Sequence, residues 1–559
     1  MGAGPSCNHC DPDKLDIEAA KPNVEILHIH DAMQSMEVGV YKNCSRAEEK
    51  LVDTDAEAAE ADGGICDNSR SDSDESESLP RLHVDKILTV TSNELMRGIS
   101  MKETLQSWGR LWRQSPIDLP EKERASLWTR SRQVAKFHIF LSHTWATHGR
   151  WKYLALSFQT AWPYVLLIWL LVLVVVELLT CLALVPAMGN VRFSYQGFRQ
   201  ECPFSGLGLL VAMPVSVLTF FLAPYFPDIG DNKDSCFLDV VSINQGDVGM
   251  MRQGIYGLGG FLSASKELRI LYSAPYLTRL WCVFELAAFR KANPSGRIRF
   301  APLFVETAVA SVWLGATVGL VIYVLVIATL GLGSLTTLLV ALVPFFVVFH
   351  LLRKNLSQKR QVFYDLATFE LSAAGCRKAS DQEFIYAAIE KWYGSLDAFT
   401  RHVRGPLRDE LLANHLGTGL PWNYALLIAT PMMTLGMDAL SAQVRGGAPI
   451  HNLVSYGSGV SLGLFGLWWI VGVQFAMFLA GRFPLPKSFI WGLAQSAVLY
   501  AVYLAFIFCG VYIGRWAYKD SAAASLTWCA AAGMIAWLAS GGLKVITRGR
   551  RGGYARQRL

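Results

Sequence analysis

Eight apolar runs, each near the roughly 20 residues a helix needs to cross a bilayer core, dominate the chain after residue 160. They lie near 161–188, 206–226, 308–330, 333–352, 422–442, 453–480, 487–515 and 521–543. Shorter runs of another kind interrupt them. FHIFLS at 137–142, followed by 236–241, 268–273 and 299–305, is β-branched or aromatic and bounded by polar turns, as expected of strands buried on both faces. Helical patterning starts near Trp145 and recurs near 253–265 and over 276–291. Strand and helix in alternation predict a parallel sheet covered on both faces. This is an α/β, flavodoxin-like fold, with its crevice at the carboxyl ends of the strands.

The two patterns together divide the chain. Residues 1–80 form an acidic region too poor in apolar surface to fold; 81–160 hold a lead-in of short amphipathic helices around Trp108, Leu111, Trp112 and Trp128, then the first part of the α/β unit. A transmembrane hairpin at 161–226 precedes the second part of the unit at 227–307. A second hairpin at 308–352 leads to a cytosolic helical segment at 353–421 that completes it. A four-helix transmembrane region, 422–543, ends in a basic cytosolic tail, 544–559. Basic residues crowd the loops 266–299, 353–408 and 482–487, whereas 189–205, 331–332, 443–452 and 516–520 carry few, which sets the first group in the cytosol. An even number of crossings returns both termini there. The pieces 81–160, 227–307 and 353–421 then emerge on one side and assemble into one body.

Composition agrees with a membrane setting. Hydrophobic residues make up 52% and charged residues 17%, which excludes an ordinary soluble protein. The formal net charge of +6 is uneven: ten acids lie between Asp53 and Glu77 against Arg70 alone, while the tail carries Arg548, Arg550, Arg551, Arg556 and Arg558. That basic excess suits a bilayer surface, and no nucleic-acid partner is expected. Eleven scattered cysteines fit no secreted disulfide pattern and predict reduced thiols. Cys7 and Cys10 with His28 and His30 fit no zinc module, so no metal is expected. The start MGAGPSC matches the pattern for myristoylation at Gly2, with Cys7 placed for a second acyl chain; an unmodified tail is the alternative. GLGG at 257–260 lacks the placement of a dinucleotide fingerprint, and no Walker A, HExxH or GxSxG motif occurs.

Four segments in order carry a resemblance: FLSHTW (140–145), FLDVVSINQ (237–245), GIYGLGGFLSAS (254–265) and LRILYSAPYLTRLWCVFELAAF (268–289). They resemble the first strand, second strand, following helix, and third strand with its SxxY turn and WCxxEL helix of the Toll/interleukin-receptor (TIR) family, plant and algal members above all. About 130 residues outside the hairpins are covered. The resemblance implies a signalling domain that self-associates into homo-oligomers and, in members that cleave NAD, a substrate pocket. The family's Arg-Asp-x-x-Pro-Gly loop is missing after Asp239, where the chain reads INQGDVGMMRQG, so recruitment of the usual adaptors does not follow. A fifth strand and last helix are expected from 361–376 and 381–407.

By that resemblance Glu285 of the WCxxEL helix is the candidate catalytic acid, with NAD as substrate and no other cofactor required. A carboxylate near the ribose stabilises the oxocarbenium character of the breaking bond. Ser142, His143 and Trp145 after the first strand, Ser273 and Tyr276 after the third, and Trp281 would line the pocket. Asp239 suits a ribose hydroxyl or a capped turn. Glu285 also reads as a solvated helix residue or as a partner of Arg279 or Arg290. Within the apolar runs, Glu177, Asp438 and Gln474 are costly enough to count as functional candidates, which gives a competing reading: a transporter or channel with a regulatory cytosolic domain.

Overall fold

The computed structural model describes residues 88–540 except 90–91, 114, 116–117, 228–234, 331–334, 416–419 and 487, and gives backbone alone at 327–330, 335–341 and 412–415. The acidic region 1–80, the Gly2 and Cys7 motif, the CxxC pair and the tail 544–559 lie outside these residues.

The lead-in is more than amphipathic helices. Strand β1 (Arg97–Ser100) turns directly into helix α1 (Met101–Gly109), where Ser100 and Glu103 cap each other's backbone N–H groups in a capping box. Helix α2 (Glu121–Trp128) and the two-residue strand β2 (Arg132–Gln133) follow. Then come β3 (Phe137–Ser142), the 33-residue helix α3 (Gly149–Cys181), the antiparallel hairpin β4 (Gly189–Tyr195) and β5 (Phe198–Phe204), and helix α4 (Gly208–Tyr225). Strand β6 (Ser235–Phe237), helices α5 (Val248–Tyr256) and α6 (Leu258–Ser263), β7 (Ser265–Tyr272), α7 (Leu280–Ala292) and β8 (Arg297–Pro302) complete the sheet. The remainder is helical: α8 (Leu303–Leu330), α9 (Leu335–Ala367), α10 (Ala379–Tyr393), α11 (Leu396–His402), α12 (Arg408–His415), α13 (Trp422–Arg445), α14 (Ile450–Arg482), α15 (Phe489–Asp520) and α16 (Ala522–Ala539).

Six strands form one mixed sheet in the order β2-β1-β6-β3-β7-β8. The last four are parallel and β1 and β2 are antiparallel at the edge. Phe137, Phe140 and Phe237 pack with Phe261 and the inner side of α7 on one face; Ile139 and Leu141 pack with Ala155, Leu156 and Trp112 on the other. Edge strand β1 escapes a pattern search because it is four residues long and contains Gly98. A side chain there would crowd the Cys236 carbonyl and the Phe137 ring, so glycine lets the edge pair close.

Two expectations are corrected. The second strand stops at Phe237, because Asp239–Ser242 folds as a helical turn in which Ser242 accepts the Leu238 N–H. The expected strand at 361–376 does not form: 361–367 ends helix α9, and Gly375 makes an isolated bridge to Arg279. The buried positions Val362, Leu366 and Phe369 are spaced for a helix, which wins over the local β propensity.

Seven described helices are long and apolar enough to cross a membrane: α3, α4, α8, α13, α14, α15 and α16. The chain is accordingly a multi-pass membrane protein. Leu167, Leu170, Leu171, Val174, Val175 and Leu178 stand exposed along α3, a surface whose natural solvent is lipid. Helix α13 forms the hub of the bundle. Trp169 of α3 and Trp313 of α8 donate their indole N–H to Thr434 and Thr430, and Trp469 donates to the Ile428 carbonyl. Such bonds satisfy polar groups where no water can.

Helices α3 and α8 belong to both regions. Trp151 in the first turn of α3 borders the same cavity as Tyr272 and Ser273 at the carboxyl end of β7. Gln159 to Tyr164 reach the level of Lys136 and Lys266 at the amino ends of β3 and β7. Each helix therefore descends antiparallel to the strands and continues into the bundle. The amino ends of the strands face the membrane spans; the carboxyl ends point away from them.

Candidate functional site

Numbered along the chain, the parallel strands stand in the order 2-1-3-4, so the direction of winding reverses between β3 and β7. Loops that leave neighbouring strands in opposite directions open a crevice there. Ser142, the last residue of β3, is fully buried in it. Its hydroxyl lies 2.5 Å from both Tyr276 Oη and Glu285 Oε2. The turn that places Tyr276 is closed by its N–H donating to the Ser273 carbonyl, and Glu285 projects from the second turn of α7. Burial pushes the Glu285 carboxyl up to about 8, with Asp239 adding to the effect and the Ser142 hydroxyl opposing it. Burial also holds the Tyr276 hydroxyl well above its ordinary value. At neutral pH the three groups form an uncharged hydrogen-bonded chain.

A second cluster adjoins it toward β6. Trp145 donates its indole N–H to Asp239 Oδ2 at 2.7 Å, and His143 Nε2 stands 3.8 Å from Asp239 Oδ1. Burial and the nearby Lys152 ammonium lower His143 to about 4, so the ring is neutral. Lys152, which no sequence pattern singled out, is 1% exposed. It donates to the Thr144 carbonyl at 2.9 Å and lies over the Trp145 ring at 4.5 Å. It ties the first turn of α3 to the loop after β3.

Ser273 points elsewhere, 2.5 Å from the Thr147 hydroxyl, at the rim of a cavity of about 390 Å³. Asp365 of α9 closes that cavity and accepts from Tyr272 Oη at 2.7 Å. Thr147 and Asp365 were not singled out in the sequence either. Trp281 is turned away from the crevice toward α10, where its indole contacts Asp381 at 3.3 Å and its ring packs on Phe284 and Phe384. Glu285 pairs with neither Arg279 nor Arg290; Arg290 binds Glu410.

In the bundle the structure brings Glu177 and Asp438 together. Ser441 donates to Glu177 Oε2 at 2.5 Å, and Asp438 accepts from the N–H groups of Gly208 and Leu209 at 2.8 and 2.9 Å. A Cβ at Gly208 would strike an oxygen of each acid. Glu177 Oε1 is buried without a hydrogen-bond partner among the described residues. Gln474 is separate, bonded to the Leu420 backbone.

No known family, curated protein or solved structure matches this chain. The class that fold and site define is a multi-pass membrane protein with a mixed, mainly parallel α/β unit fused to its spans.

Proposed function

We propose that this protein presents a TIR-like domain on the cytosolic side of a membrane, and that the crevice between β3 and β7 cleaves NAD when copies of the domain associate. The observation that supports this most is the Ser142–Tyr276–Glu285 chain at the point where strand order reverses. In the reading we favour, the cationic nicotinamide ring stabilises the ionised Glu285 carboxylate, whose proton is released to solvent as the substrate binds. The carboxylate then stabilises the ribosyl cation as the C–N bond breaks and its electron pair leaves on nicotinamide. Water adds to the anomeric carbon, and its proton passes to Glu285 or solvent. Ser142 and Tyr276 keep the carboxyl oriented.

Reconstituted full-length protein incubated with NAD should release nicotinamide, and Glu285→Gln should lower the rate at least about 100-fold, the scale of losing one preorganised electrostatic group. Equal rates in the two proteins would remove Glu285 from catalysis. No release from either protein, with cross-linked oligomers still forming, would leave the domain an interaction module.

The crowding of Glu177 against Asp438 favours a second reading, a carrier that takes up a proton or cation between them. Proteoliposome flux that Glu177→Gln abolishes would support it.

A further inference from the structure

The amino ends of the strands border a cavity of about 1200 Å³, and nothing in the NAD reading uses it. Its walls come from two sources. One is the sheet edge, with Lys136, His138, Lys266, Arg269 and Arg299; the other is the region where α3 and α4 enter the bundle, with Tyr164 and Pro224 to Phe226. Trp108 and Tyr225, 61% and 56% exposed, stand beside it. Ser107 and Trp108 adopt left-handed φ of 53° and 58°, which lays the indole against Phe221 of α4. Exposed aromatic rings at the ends of membrane helices mark the interface with water. The cavity therefore lies at head-group level.

Its charge is one-sided. Lys102, Arg132, Lys136, Lys266, Arg269 and Arg299 line it, with Glu103 the one carboxylate among the lining residues. Arg132 is engaged by Glu103 at 3.0 Å and Arg269 by Glu267 at 2.6 Å. Lys136, Lys266 and Arg299 form no ion pair among the described residues. Arg269 and Arg299 are register partners on adjacent strands, a like-charge arrangement that costs stability and that Glu267 and Glu306 beside them offset in part. The connector 228–234 lies outside the described residues. Even with its Asp228, Asp231, Asp234 and Lys233 and with Glu267 and Glu306 counted, seven cations stand against six acids. Lysine supplies point charges and arginine a fork, which together suit phosphate oxygens.

We propose that this cavity binds the phosphorylated head group of an anionic membrane lipid, with the acyl chains lying along α3 and α4. A volume of about 1200 Å³ exceeds what a lone phosphate fills and accommodates a substituted head group. Bound lipid would hold the sheet edge against the bilayer independently of any chemistry in the crevice.

The test uses full-length protein in nanodiscs of neutral phosphatidylcholine, titrated with dioctanoyl phosphatidylinositol 4-phosphate, dioctanoyl phosphatidylcholine, inositol 1,4-bisphosphate or inorganic phosphate, with binding read from thermal stability. The dioctanoyl phosphoinositide should raise the melting temperature, and the neutral lipid should not. A Lys136→Gln/Lys266→Gln variant, changed only at exposed side chains, should bind it about tenfold or more weakly, since each lysine near a lipid phosphate contributes appreciably. Arg299→Gln should do the same where it folds. Equal stabilisation by inositol bisphosphate or inorganic phosphate would overturn the proposal in favour of a soluble anion. Unchanged affinity in the double lysine variant, or no response to any phosphate, would overturn the site itself.

Discussion

The two ends of one sheet differ in kind. At the carboxyl ends of β3 and β7, Ser142, Tyr276 and Glu285 meet as an uncharged chain, and His143 beside them is neutral. At the amino ends of the same strands, Arg269, Arg299, Lys136 and Lys266 hold charge that the described protein only partly answers. Burial explains the first end, since a carboxyl or imidazole removed from water gives up its charge. Guanidinium groups cannot do so. The second end must be balanced from outside or remain open to water. The lesson is one of direction: unpaired cations gather at the end facing the bundle, and the buried Ser142–Tyr276–Glu285 chain sits at the end facing away.

The contrast can be broken most severely at the buried ion pair of the cationic end. Arg269→Met should cost about 3 kcal/mol, because it leaves the buried Glu267 with the exposed Arg297, 3.4 Å away, as its remaining ion pair, as a fall in melting temperature or loss of folded protein would show. Next comes pH. Glu285 titrates near 8 in the fold and near 4.5 when unfolded, so the folded state binds the extra proton and stability falls as pH rises from 4.5 toward 8. His143, lowered from 6.5 to about 4, acts oppositely, with stability falling as pH drops from 6.5 to about 4. The two slopes oppose each other between 4.5 and 6.5, so the Glu285 contribution is read from 6.5 to 8, as the difference between wild type and Glu285→Gln. There wild type should lose up to about 1.4 kcal/mol per pH unit. Glu285→Gln should flatten that limb while leaving the acid limb in place. A smaller effect, about 1–3 kcal/mol, is expected from Ser142→Ala, which removes the hydroxyl between two buried partners; denaturation at pH 7 would measure it. The smallest belongs to the cationic end. In neutral lipid, Lys136→Gln should change stability by no more than about 0.5 kcal/mol, and a larger change would mean that the lysine already serves the fold.

Much of this architecture was legible in the chain. The four parallel strands announced themselves as short β-branched or aromatic runs, and the long apolar stretches as spans, because each pattern reflects burial along a continuous segment. Ser142, Tyr276 and Glu285 were singled out from a motif, and the structure brings all three within hydrogen-bonding reach. What failed to show were relations between segments. Lys152, at the start of a long apolar helix, looks in sequence like a cation reaching for water, and only the packing of Trp145 over it reveals burial. Glu177 and Asp438 read as isolated acids because nothing in sequence links two helices so far apart. The run at 361–376 reads as a strand by residue type, although the spacing of Val362, Leu366 and Phe369 suits a helix. Short apolar runs leave that choice to tertiary contacts.

Helix α3 carries one further implication. From Gly149 to Cys181 it is a single rod with Pro163 inside it, and Lys152 near its start is fastened to the Thr144 carbonyl. No slack joint separates the lipid-embedded length from the loop that follows β3. A change in bilayer thickness that tilts the rod must therefore pull on His143 and Ser142, making the crevice a mechanical reporter of the membrane beneath it.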